Sequence, residues 1–538
     1  MRNRASALYR QAARVPTKAA VIFEDRTWTF AQLLTQAQAY AAGLAQAGFG
    51  RGDKLGIMMA TRPEFIAVEY AVFILGGVVL PMNVHYLGHE IEHALGSCDV
   101  EYLAVDAEYA ARFTAGFAER CPALRRVFVF ASGAPGAAGA ALAPPLAAPL
   151  VVDGRPLRAD PEQAPVPAEL ADDDVVLMLY TSATTGKAKG VMLTVANLEA
   201  NQDPSPAWLQ LAEDEVILCA LPLYNTFALN QCINATVLLG ATLVLLPRFE
   251  ALECLKVVQR YRCTSFPAVP TMLQRLLHHP EVDRFDLTSL RRFCVGAAPV
   301  PAPLLALLRQ RINRDAVVIH GYGLTESTAL VSVIEVTMDE SGRIPHAKSI
   351  GRALPGIEMR IVDDAGRPAP LDTVGEICIR GPNVMKGYYK APEATAQALV
   401  DGWLHTGDLG TMDAEGYFAI VDRKKDLIIR GGQNIYPADI EEALYRHAAV
   451  QEAAIVALPD EELGEVPMGF VALKPGARAT PEELLTHCRA ELAYFKVPVA
   501  IEIRPELPKG PTGKILRRAL RADDRRSDFP FPPTAKET

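Results

Sequence analysis

The stretch that decides the fold of this chain is Val175-Val176-Leu177-Met178-Leu179-Tyr180-Thr181-Ser182-Ala183-Thr184-Thr185-Gly186-Lys187-Ala188-Lys189-Gly190. Its apolar part predicts a buried strand, and the hydroxyl and glycine residues that follow predict a loop at the end of that strand. Hydroxyl groups, backbone N–H groups and a lysine are the donors that a polyphosphate needs. The Walker pattern is not met, because it requires Gly in place of Thr181 and Ser or Thr in place of Ala188. The stretch therefore predicts a phosphate-binding loop of another kind.

Length, composition and charge restrict the class of protein. The chain has 538 residues, of which 50% are hydrophobic. It is too long for one core, and this predicts a large body of several subdomains with a smaller unit. The formal net charge of -9 argues against a general nucleic-acid or anionic-membrane binder and favours a small-molecule partner.

The cysteines and the apolar runs indicate the cellular setting. Nine cysteines are scattered without a C-x-x-C pair, which suits a reducing cytosol better than disulfides or a zinc site. No apolar run reaches the roughly 18 to 20 residues that a spanning helix needs. Residues 1–18 faintly resemble a transit peptide, but the apolar spacing from Ala5 to Val15 favours a packed first helix. We expect a cytoplasmic protein without a membrane span, either a monomer or a homodimer.

Short apolar runs alternate with helical patterns through most of the chain. The predicted strands include residues 54–58, 77–81, 101–105, 217–221, 242–246, 265–269, 292–295, 317–319 and 358–362, and the predicted helices include 63–74, 251–261 and 301–313. This alternation predicts an α/β fold with a mostly parallel sheet covered by helices. Residues 131–171 are rich in Ala, Pro and Gly and predict a surface loop or linker.

One short motif has two interpretations. The sequence His89-Glu90-Ile91-Glu92-His93 matches H-E-x-x-H, in which two histidines on one helix face bind zinc. So short a pattern often arises by chance, and no third ligand is evident around it. We therefore interpret it as a solvated helix face.

The pattern of charged and apolar residues changes after Asp422. The charged cluster Asp422-Arg423-Lys424-Lys425-Asp426 precedes a glycine pair and a new helical pattern, which predicts a domain boundary. We expect a large N-terminal domain of βα-layered subdomains over residues 1–422 and a small mobile α+β domain over 423–525. Residues 526–538 predict a loose polar tail.

Three further stretches contain candidate functional residues. The run from His320 to Glu326 follows a predicted strand, so its side chains would project from a sheet edge, where α/β folds bind ligands. The run from Trp403 to Asp408 ends in a turn carboxylate. The loop from Pro508 to Lys514 ends in a lysine.

Together and in this order, these stretches resemble the adenylate-forming superfamily of acyl-CoA synthetases, carrier-protein adenylation domains and beetle luciferases. The resemblance extends from Thr17 to Lys514, and the segments 266–272 and 430–437 are similar to the fatty-acid and aryl-acid CoA ligases. It implies ATP, Mg²⁺ and CoA, or a carrier-protein phosphopantetheine, as partners of a small-molecule acid. No nucleic acid is implied.

The resemblance assigns the ATP site residue by residue. The β- and γ-phosphates would be held by Thr181, Ser182, Thr184, Thr185, Gly186 and Lys189. Tyr322 would stack on adenine opposite the turn formed by Gly296, Ala297 and Ala298, while Asp408 and Arg423 would bind the ribose. Thr325 would touch the α-phosphate and Glu326 would bind Mg²⁺. Lys514 would stabilise both the attacking carboxylate of the acid and the phosphate that it attacks.

The resemblance also assigns the acid and thiol sites. Substrate contacts are expected at Tyr224, Asn225, Phe227, Ala228, Val295, His320, Gly321 and Val331. In the family the small domain rotates about a hinge, here Lys425, after the acyl-adenylate has formed. That rotation withdraws Lys514 and brings Gly431 and Gly432 to line a channel for the thiol.

Several positions depart from the family pattern. Ala183 and Ala188 stand where the loop commonly has Gly and Pro, and Val195 stands where a His is common. Asn225 replaces a His in the segment that gates the acyl pocket, and an amide cannot titrate near neutral pH. Adenylation is therefore predicted more firmly than thioester formation.

The sequence leaves other functions open. The adenylate could pass to the phosphopantetheine of a carrier protein, or the adenylated group could be an oxyanion such as nitrite with an amine as acceptor. A non-catalytic nucleotide-binding relative would be expected to lose Glu326, Asp408 or Lys514, and all three are present.

Overall fold

The computed structural model describes residues 2–110, 112–113, 116–130, 151–153, 157, 159–180, 188–296, 300–339, 341–431, 433–460, 462–510 and 515–522. The strands are β1 (Ala19–Phe23), β2 (Arg26–Thr29), β3 (Lys54–Met58), β4 (Val78–Pro81), β5 (Tyr102–Asp106), β6 (Arg126–Phe130), β7 (Val151–Asp153), β8 (Val175–Tyr180), β9 (Gly190–Thr194), β10 (Val216–Cys219), β11 (Thr242–Leu245), β12 (Arg292–Val295), β13 (Val317–Gly323), β14 (Leu330–Glu335), β15 (Ser349–Ala353), β16 (Glu358–Val362), β17 (Gly375–Arg380), β18 (Gly387–Tyr388), β19 (Leu399–Val400), β20 (Trp403–Met412), β21 (Phe418–Arg423), β22 (Ile428–Arg430), β23 (Gln433–Ile435), β24 (Val450–Asp460), β25 (Gly464–Leu473) and β26 (Ala500–Arg504).

The α-helices are α1 (Ala5–Arg14), α2 (Phe30–Gln46), α3 (Pro63–Leu75), α4 (Gly88–Ser97), α5 (Ala107–Ala110), α6 (Phe117–Arg120), α7 (Val195–Gln202), α8 (Ser205–Trp208), α9 (Thr226–Ala228), α10 (Ala235–Leu239), α11 (Ala251–Tyr261), α12 (Pro270–Leu277), α13 (Ala302–Arg311), α14 (Pro392–Ala398), α15 (Pro437–Arg446), α16 (Pro481–Glu491) and α17 (Arg517–Ala522). A π-helical turn spans Leu229–Asn234, and 3₁₀ turns include Thr325–Ser327 and Lys424–Asp426.

The chain divides into two compact units. The larger consists of Met1–Met359 and Ile379–His405, and the smaller of Arg360–Cys378 and Thr406–Thr538. A large N-terminal domain with a separate small C-terminal domain was predicted, and this α/β architecture is confirmed. The boundary after residue 422 stays a prediction.

A mostly parallel sheet of the larger unit carries the predicted loop. Among the described residues it has eight strands in the order β18-β9-β8-β4-β3-β5-β6-β7. The pairs from β8 to β7 are parallel, and β9 and β18 add antiparallel strands at the other edge. The prediction of a mostly parallel sheet in this region is confirmed. The strand pairs place the end of β8 beside the start of β9.

Helix ends in this unit follow local sequence rules. Thr29 and Gln32 form a capping box that starts α2, and each satisfies a backbone N–H of the other. Helix α3 begins at Pro63 and ends at Leu75, and the next residue, Gly76, adopts the left-handed conformation (φ 71°) that glycine tolerates best. The apolar positions of α4 pack on the sheet, because Ile91, Ala94 and Leu95 belong to the core that includes strand residues.

One strand prediction in the larger unit was wrong. Residues 265–269 form no strand, although Ser265 and Ala268 make isolated bridges to Arg292 and Val295. Pro267 lies between them and has no N–H to donate, so a continuous ladder cannot form there.

Strands β12, β13, β14 and β15 lie side by side in that order, and β10, β11, β1 and β2 form another sheet.

A buried polar cluster lies where α1 meets α3, α7 and the π-helical turn. Arg4 pairs with Asp203 and with the amide oxygen of Asn234. Glu69 of α3 is 5% exposed, and its Oε2 has no hydrogen-bond partner among the described residues. Burial raises the pKa of Glu69 to about 8, although the charge of Arg4 opposes the shift. The larger unit therefore buries a carboxyl group that is protonated near neutral pH.

The smaller unit has its own sheet and its own apolar cores. Strands β23, β22, β25 and β24 are neighbours in that order, and β26 pairs in parallel with β25. Helices α15 and α16 cover one face through Ile440, Leu444 and Leu484. Arg517 of α17 bonds Glu441 and Asp426, which ties the last described helix to α15 and to the turn Lys424–Asp426. An α+β domain of this kind was predicted for the C-terminal part.

Two predictions on membrane and thiol chemistry concern the whole chain. Within the ranges that the structure describes, no helix combines the length and apolar character needed to cross a membrane. All nine cysteines are described, and each is buried and free. A disulfide framework is therefore excluded for this fold.

Candidate functional site

The predicted phosphate loop connects β8 to β9. Lys189 and Ala188 lie in its described part, while Thr181, Ser182, Thr184, Thr185 and Gly186 lie outside the described residues. The Tyr180 hydroxyl, at the loop entry, bonds Ser97 and donates to the carbonyl of His93 at 3.3 Å. At the loop exit, Nε2 of His93 lies 3.1 Å from the Ala188 carbonyl. Helix α4 therefore contacts both ends of the loop.

The H-E-x-x-H motif lies on this helix. His89 is exposed, as expected of a solvated face, but His93 is half-buried against the loop and its ring also contacts the Tyr180 ring edge-on at 5.9 Å. Neither histidine belongs to a cluster of ligating side chains among the described residues. The solvated-face interpretation was thus incomplete, since one histidine supports the loop.

The predicted metal ligand lies on a strained turn between β13 and β14. Gly323 marks a register shift, and a Cβ built on it would lie 1.5 Å from the Ala329 carbonyl oxygen, so only glycine fits. After the 3₁₀ turn Thr325–Ser327, the buried Thr328 adopts φ +70°, which is rare for a β-branched residue. Strain of this kind persists only where the surroundings impose it, and it concentrates at functional sites.

The surroundings that impose it are residues 382–389, which we call the strap. The Thr328 hydroxyl donates to the Asn383 carbonyl at 2.7 Å, and the Asn383 amide donates to the Ser327 carbonyl at 3.1 Å. The Met385 N–H donates to the Glu326 carbonyl at 2.8 Å. The other edge of the strap pairs with β9, directly after the phosphate loop. The strap therefore joins the Glu326 turn to the loop exit.

Tyr388 of the strap is a site residue that the sequence reasoning missed. Its hydroxyl donates to Oε1 of Glu326 at 2.9 Å, and its ring lies 5.4 Å from the Lys189 ammonium. Burial and the charge of Glu326 raise the pKa of Tyr388, so it stays protonated as a donor. The only hint in the sequence is the pair of tyrosines after Gly387. The residues around that pair do not indicate that Tyr388 bonds a carboxylate 62 residues away.

The Glu326 side chain fits a magnesium ligand. The carboxylate is half-buried and, among the described residues, forms no ion pair with a lysine or arginine. Carboxylate and phosphate oxygens are the ligands that Mg²⁺ prefers. A nucleotide whose phosphates reach Lys189 would bring such oxygens toward this carboxylate, because Tyr388 contacts both side chains.

The predicted adenine and acid contacts of the larger unit include residues of strands β12, β13 and β14 and of helix α9. Tyr322 is 8% exposed on β13. The ring of Phe227 would lie 3.4 Å from a Cβ placed on Gly296, so these two predicted residues lie close together. His320 is buried and its ring bonds the Ser349 carbonyl, and burial lowers its pKa. The apolar predicted contacts Ala228, Val295 and Val331 are all fully buried. Gly321 is half-buried, and Ala297 and Ala298 lie outside the described residues.

The gate segment carries buried hydroxyl groups without partners. The Tyr224 Oη and the Thr226 Oγ1 are buried and form no hydrogen bond with any described residue. Burial and the neighbouring Tyr86 and Tyr109 phenols raise the pKa of Tyr224, so the hydroxyl stays neutral. Asn225 occupies the N-cap position of the following helical segment, without a capping hydrogen bond from its side chain, and that segment continues into the π-helical turn. Turns of this type frequently mark functional sites.

The smaller unit holds the remaining described candidates. Asp408 is buried at the start of a β20–β21 pair, and its Oδ1 lies 2.8 Å from Nε of Arg423. Lys425 lies in the 3₁₀ turn Lys424–Asp426, and Gly431 has φ +54° after β22. Gly432 and Lys514 lie outside the described residues. The predicted ribose pair is thus formed within this unit.

These features define a class. A mostly parallel sheet with a hydroxyl-rich stretch after one strand, and a carboxylate near the lysine that follows that stretch, suit an α/β protein that binds a phosphate-bearing ligand at the strand ends. The chain belongs to the AMP-binding enzyme family: the model of that family matches residues 8–389, and that of the AMP-binding enzyme C-terminal domain matches residues 439–514.

Relatives that are named as acyl-CoA ligases or synthetases agree with this family. A long-chain-fatty-acid–CoA ligase of Bacillus subtilis is 35% identical, covering 96% of this chain and 93% of the relative. A feruloyl-CoA synthase of an Amycolatopsis species is 36% identical, covering 95% and 97%. The structure of o-succinylbenzoate CoA synthetase from Bacillus subtilis with its acyl-adenylate superposes with a TM-score of 0.79 at 30% identity, covering 96% and 97%. The chain is accordingly an AMP-forming ligase that activates an acid with ATP and transfers the acyl group to CoA.

Proposed function

We propose that the ligase forms its acyl-adenylate with the residues assigned above. Lys189 and the loop hydroxyls of Thr181, Ser182, Thr184 and Thr185 hold the β- and γ-phosphates, while Asp408 and Arg423 hold the ribose. Glu326 holds Mg²⁺, and Tyr322 lies against the adenine. The observation that carries this proposal is the placement of Glu326 by the strap, which also pairs with the strand that leaves the phosphate loop.

The first step joins two anions. A carboxylate oxygen of the acid attacks the α-phosphorus of ATP, the bond to the β-phosphate bridging oxygen breaks, and pyrophosphate leaves with that electron pair. Fixed positive groups are needed because both reactants are negative, and we assign this role to Lys189 and Lys514; the Mg²⁺ that Glu326 would hold would supply further positive charge. In the second step the CoA thiolate attacks the acyl carbon and AMP leaves.

We assign the change between the two steps to the smaller unit. Rotation about Lys425 withdraws Lys514 and brings Gly431 and Gly432 to the thiol. A glycine with φ +54° at position 431 allows the backbone to approach a ligand without a side chain in the way. Two site geometries from one hinge separate steps that need different groups.

Isotope exchange tests the first step. Labelled pyrophosphate should exchange into ATP only when an accepted acid is present, and Lys514→Ala should reduce that exchange by about 10²-fold or more. The panel should include nitrite, saturated fatty acids and aryl acids. Absence of exchange with every acid, despite normal ATP binding, would contradict carboxylate activation.

We further propose that the acid carries a hydrogen-bonding group besides its carboxylate. A saturated chain would leave the buried hydroxyls of Tyr224 and Thr226 unpaired, at about 1–3 kcal/mol each. A hydroxylated aryl acid would satisfy them. The similar feruloyl-CoA synthase acts, by its name, on such an acid.

A matched pair of substrates tests this preference. 4-Hydroxycinnamate should give a higher kcat/KM than cinnamate, and Tyr224→Phe should reduce the difference while leaving cinnamate turnover unchanged. Equal turnover of both acids by the wild type, or a preference for long saturated chains, would overturn the proposal on the acid.

The acceptor and the setting complete the proposal. CoA accepts the acyl group, and what stays a proposal is that a carrier-protein phosphopantetheine, which presents the same thiol, is an alternative acceptor. Thioester formation assayed with CoA and with a phosphopantetheinylated carrier protein separates the two. We expect a cytoplasmic enzyme, and its state as monomer or homodimer follows from its mass in solution.

A further inference from the structure

We propose that Tyr388 is a positioning residue that holds the Glu326 carboxylate in the orientation that binds the magnesium ion of MgATP. The inference rests on the proposed function, since it concerns the ion that Glu326 is assigned to hold. Tyr388 itself would not contact the ion or the reacting atoms.

The geometry gives Tyr388 two partners. Its hydroxyl donates to Oε1 of Glu326 at 2.9 Å, and the face of its ring lies 5.4 Å from the Lys189 ammonium. A hydrogen bond to one carboxylate oxygen restricts the rotation of the group and so limits the directions in which its other oxygen can point. Cations favour the face of a tyrosine ring, so the same side chain also orients Lys189.

The backbone fixes Tyr388 in turn. Tyr388 pairs with Val191 of β9, and its N–H donates to the Thr395 hydroxyl oxygen at 3.0 Å. The Met385 N–H, three residues earlier, donates to the carbonyl of Glu326 itself. The strap therefore holds both the main chain and the side chain of Glu326, as an outer partner of a metal ligand must.

Tyr389 provides a matched control. It is the next residue, its hydroxyl also donates to a carboxylate, Oδ2 of Asp99, at 2.9 Å, and lysines also lie near its ring face. Asp99 and Tyr389 have no assigned part in ATP binding. Tyr389→Phe thus removes the same kind of hydrogen bond from the same strap.

The test is equilibrium binding of ATP without any acid, measured by calorimetry with Mg²⁺ and again with a chelator. Tyr388→Phe should weaken the Mg²⁺-dependent binding by about 10-fold or more, as loss of an outer partner of a metal ligand does, and leave metal-free binding unchanged. Tyr389→Phe should change neither. Equal weakening with and without Mg²⁺, or equal effects of both variants, would overturn the proposal.

A double-mutant cycle separates this inference from the proposed function. If Glu326 binds the ion, Glu326→Gln should remove the Mg²⁺ dependence, and Tyr388→Phe should then have no further effect on it. Undiminished Mg²⁺ dependence in Glu326→Gln would contradict the assigned role of Glu326. Loss of Mg²⁺ dependence in Glu326→Gln, together with full dependence in Tyr388→Phe, would contradict the role of Tyr388 alone.

Discussion

The conformation of some single residues in this chain depends on contacts with residues that are distant in the sequence. Thr328 adopts a strained backbone conformation because its hydroxyl and the adjacent Ser327 carbonyl both bond to Asn383. Strain of about 1–3 kcal/mol can be maintained only by such contacts. The carboxylate of Glu326 therefore owes its position to residues more than fifty positions later in the chain.

Glu69 gives a prediction on pH dependence. Its pKa is raised from 4.5 to about 8, so over that range the folded chain holds a proton that the unfolded chain releases. The contribution of Glu69 to the free energy of unfolding is fully present below the pKa that this group has in the unfolded chain. That contribution is lost as the pH rises toward the pKa in the folded chain, by up to about 1.4 kcal/mol per pH unit. Glu69→Gln should flatten the decline of the thermal midpoint between about pH 5 and 8.

The control for this experiment is the exposed Glu393 of α14. Glu393→Gln removes the same charge and should retain the wild-type slope. If Glu69→Gln also retained that slope, the buried carboxyl would not titrate in this range.

At the scale of elements, local sequence predicted those parts whose chemistry is local. The strand β8 and helix α11 were predicted because apolar runs and helical spacing are properties of short segments. The predicted strand at 265–269 failed at Pro267. The strap was missed because its role depends on β9 and the Glu326 turn, which only the folded chain brings to it.

Helix α4 yields a prediction on the phosphate loop. His93 bonds the loop exit, so His93→Phe should raise the KM for ATP by about 2- to 10-fold, the value of one hydrogen bond, and change kcat less. His89→Phe, on the exposed face of the same helix, should leave KM unchanged. Identical effects of the two substitutions would show that the contact with Ala188 is unimportant. Steady-state kinetics in ATP distinguishes these outcomes.

At the scale of the whole molecule, the division into two units agrees with an enzyme that uses two arrangements for two steps. The sequence predicted a large and a small domain from the change in composition. The position of the boundary and the hinge depends on how the chain packs, which composition does not encode.

The assigned hinge gives a prediction on the two half-reactions. Lys425→Pro restricts the backbone where rotation is proposed, so pyrophosphate exchange should stay within a few fold of wild type while thioester formation falls by about 10²-fold or more. Lys425→Ala keeps the backbone free and should preserve both steps. Equal loss of both steps in the proline variant would argue for a general disruption of the fold. Parallel loss in the alanine variant would argue for a role of the side chain.

The nine buried thiols can report where and when this protein unfolds locally. Cys378 and Cys488 belong to the smaller unit and the other seven to the larger, and all are buried in the native state. A short pulse of alkylating reagent would therefore label a cysteine only after its surroundings had opened. Mass spectrometry of peptides from such a pulse would record the order in which the two units lose structure during heating, without any engineered label.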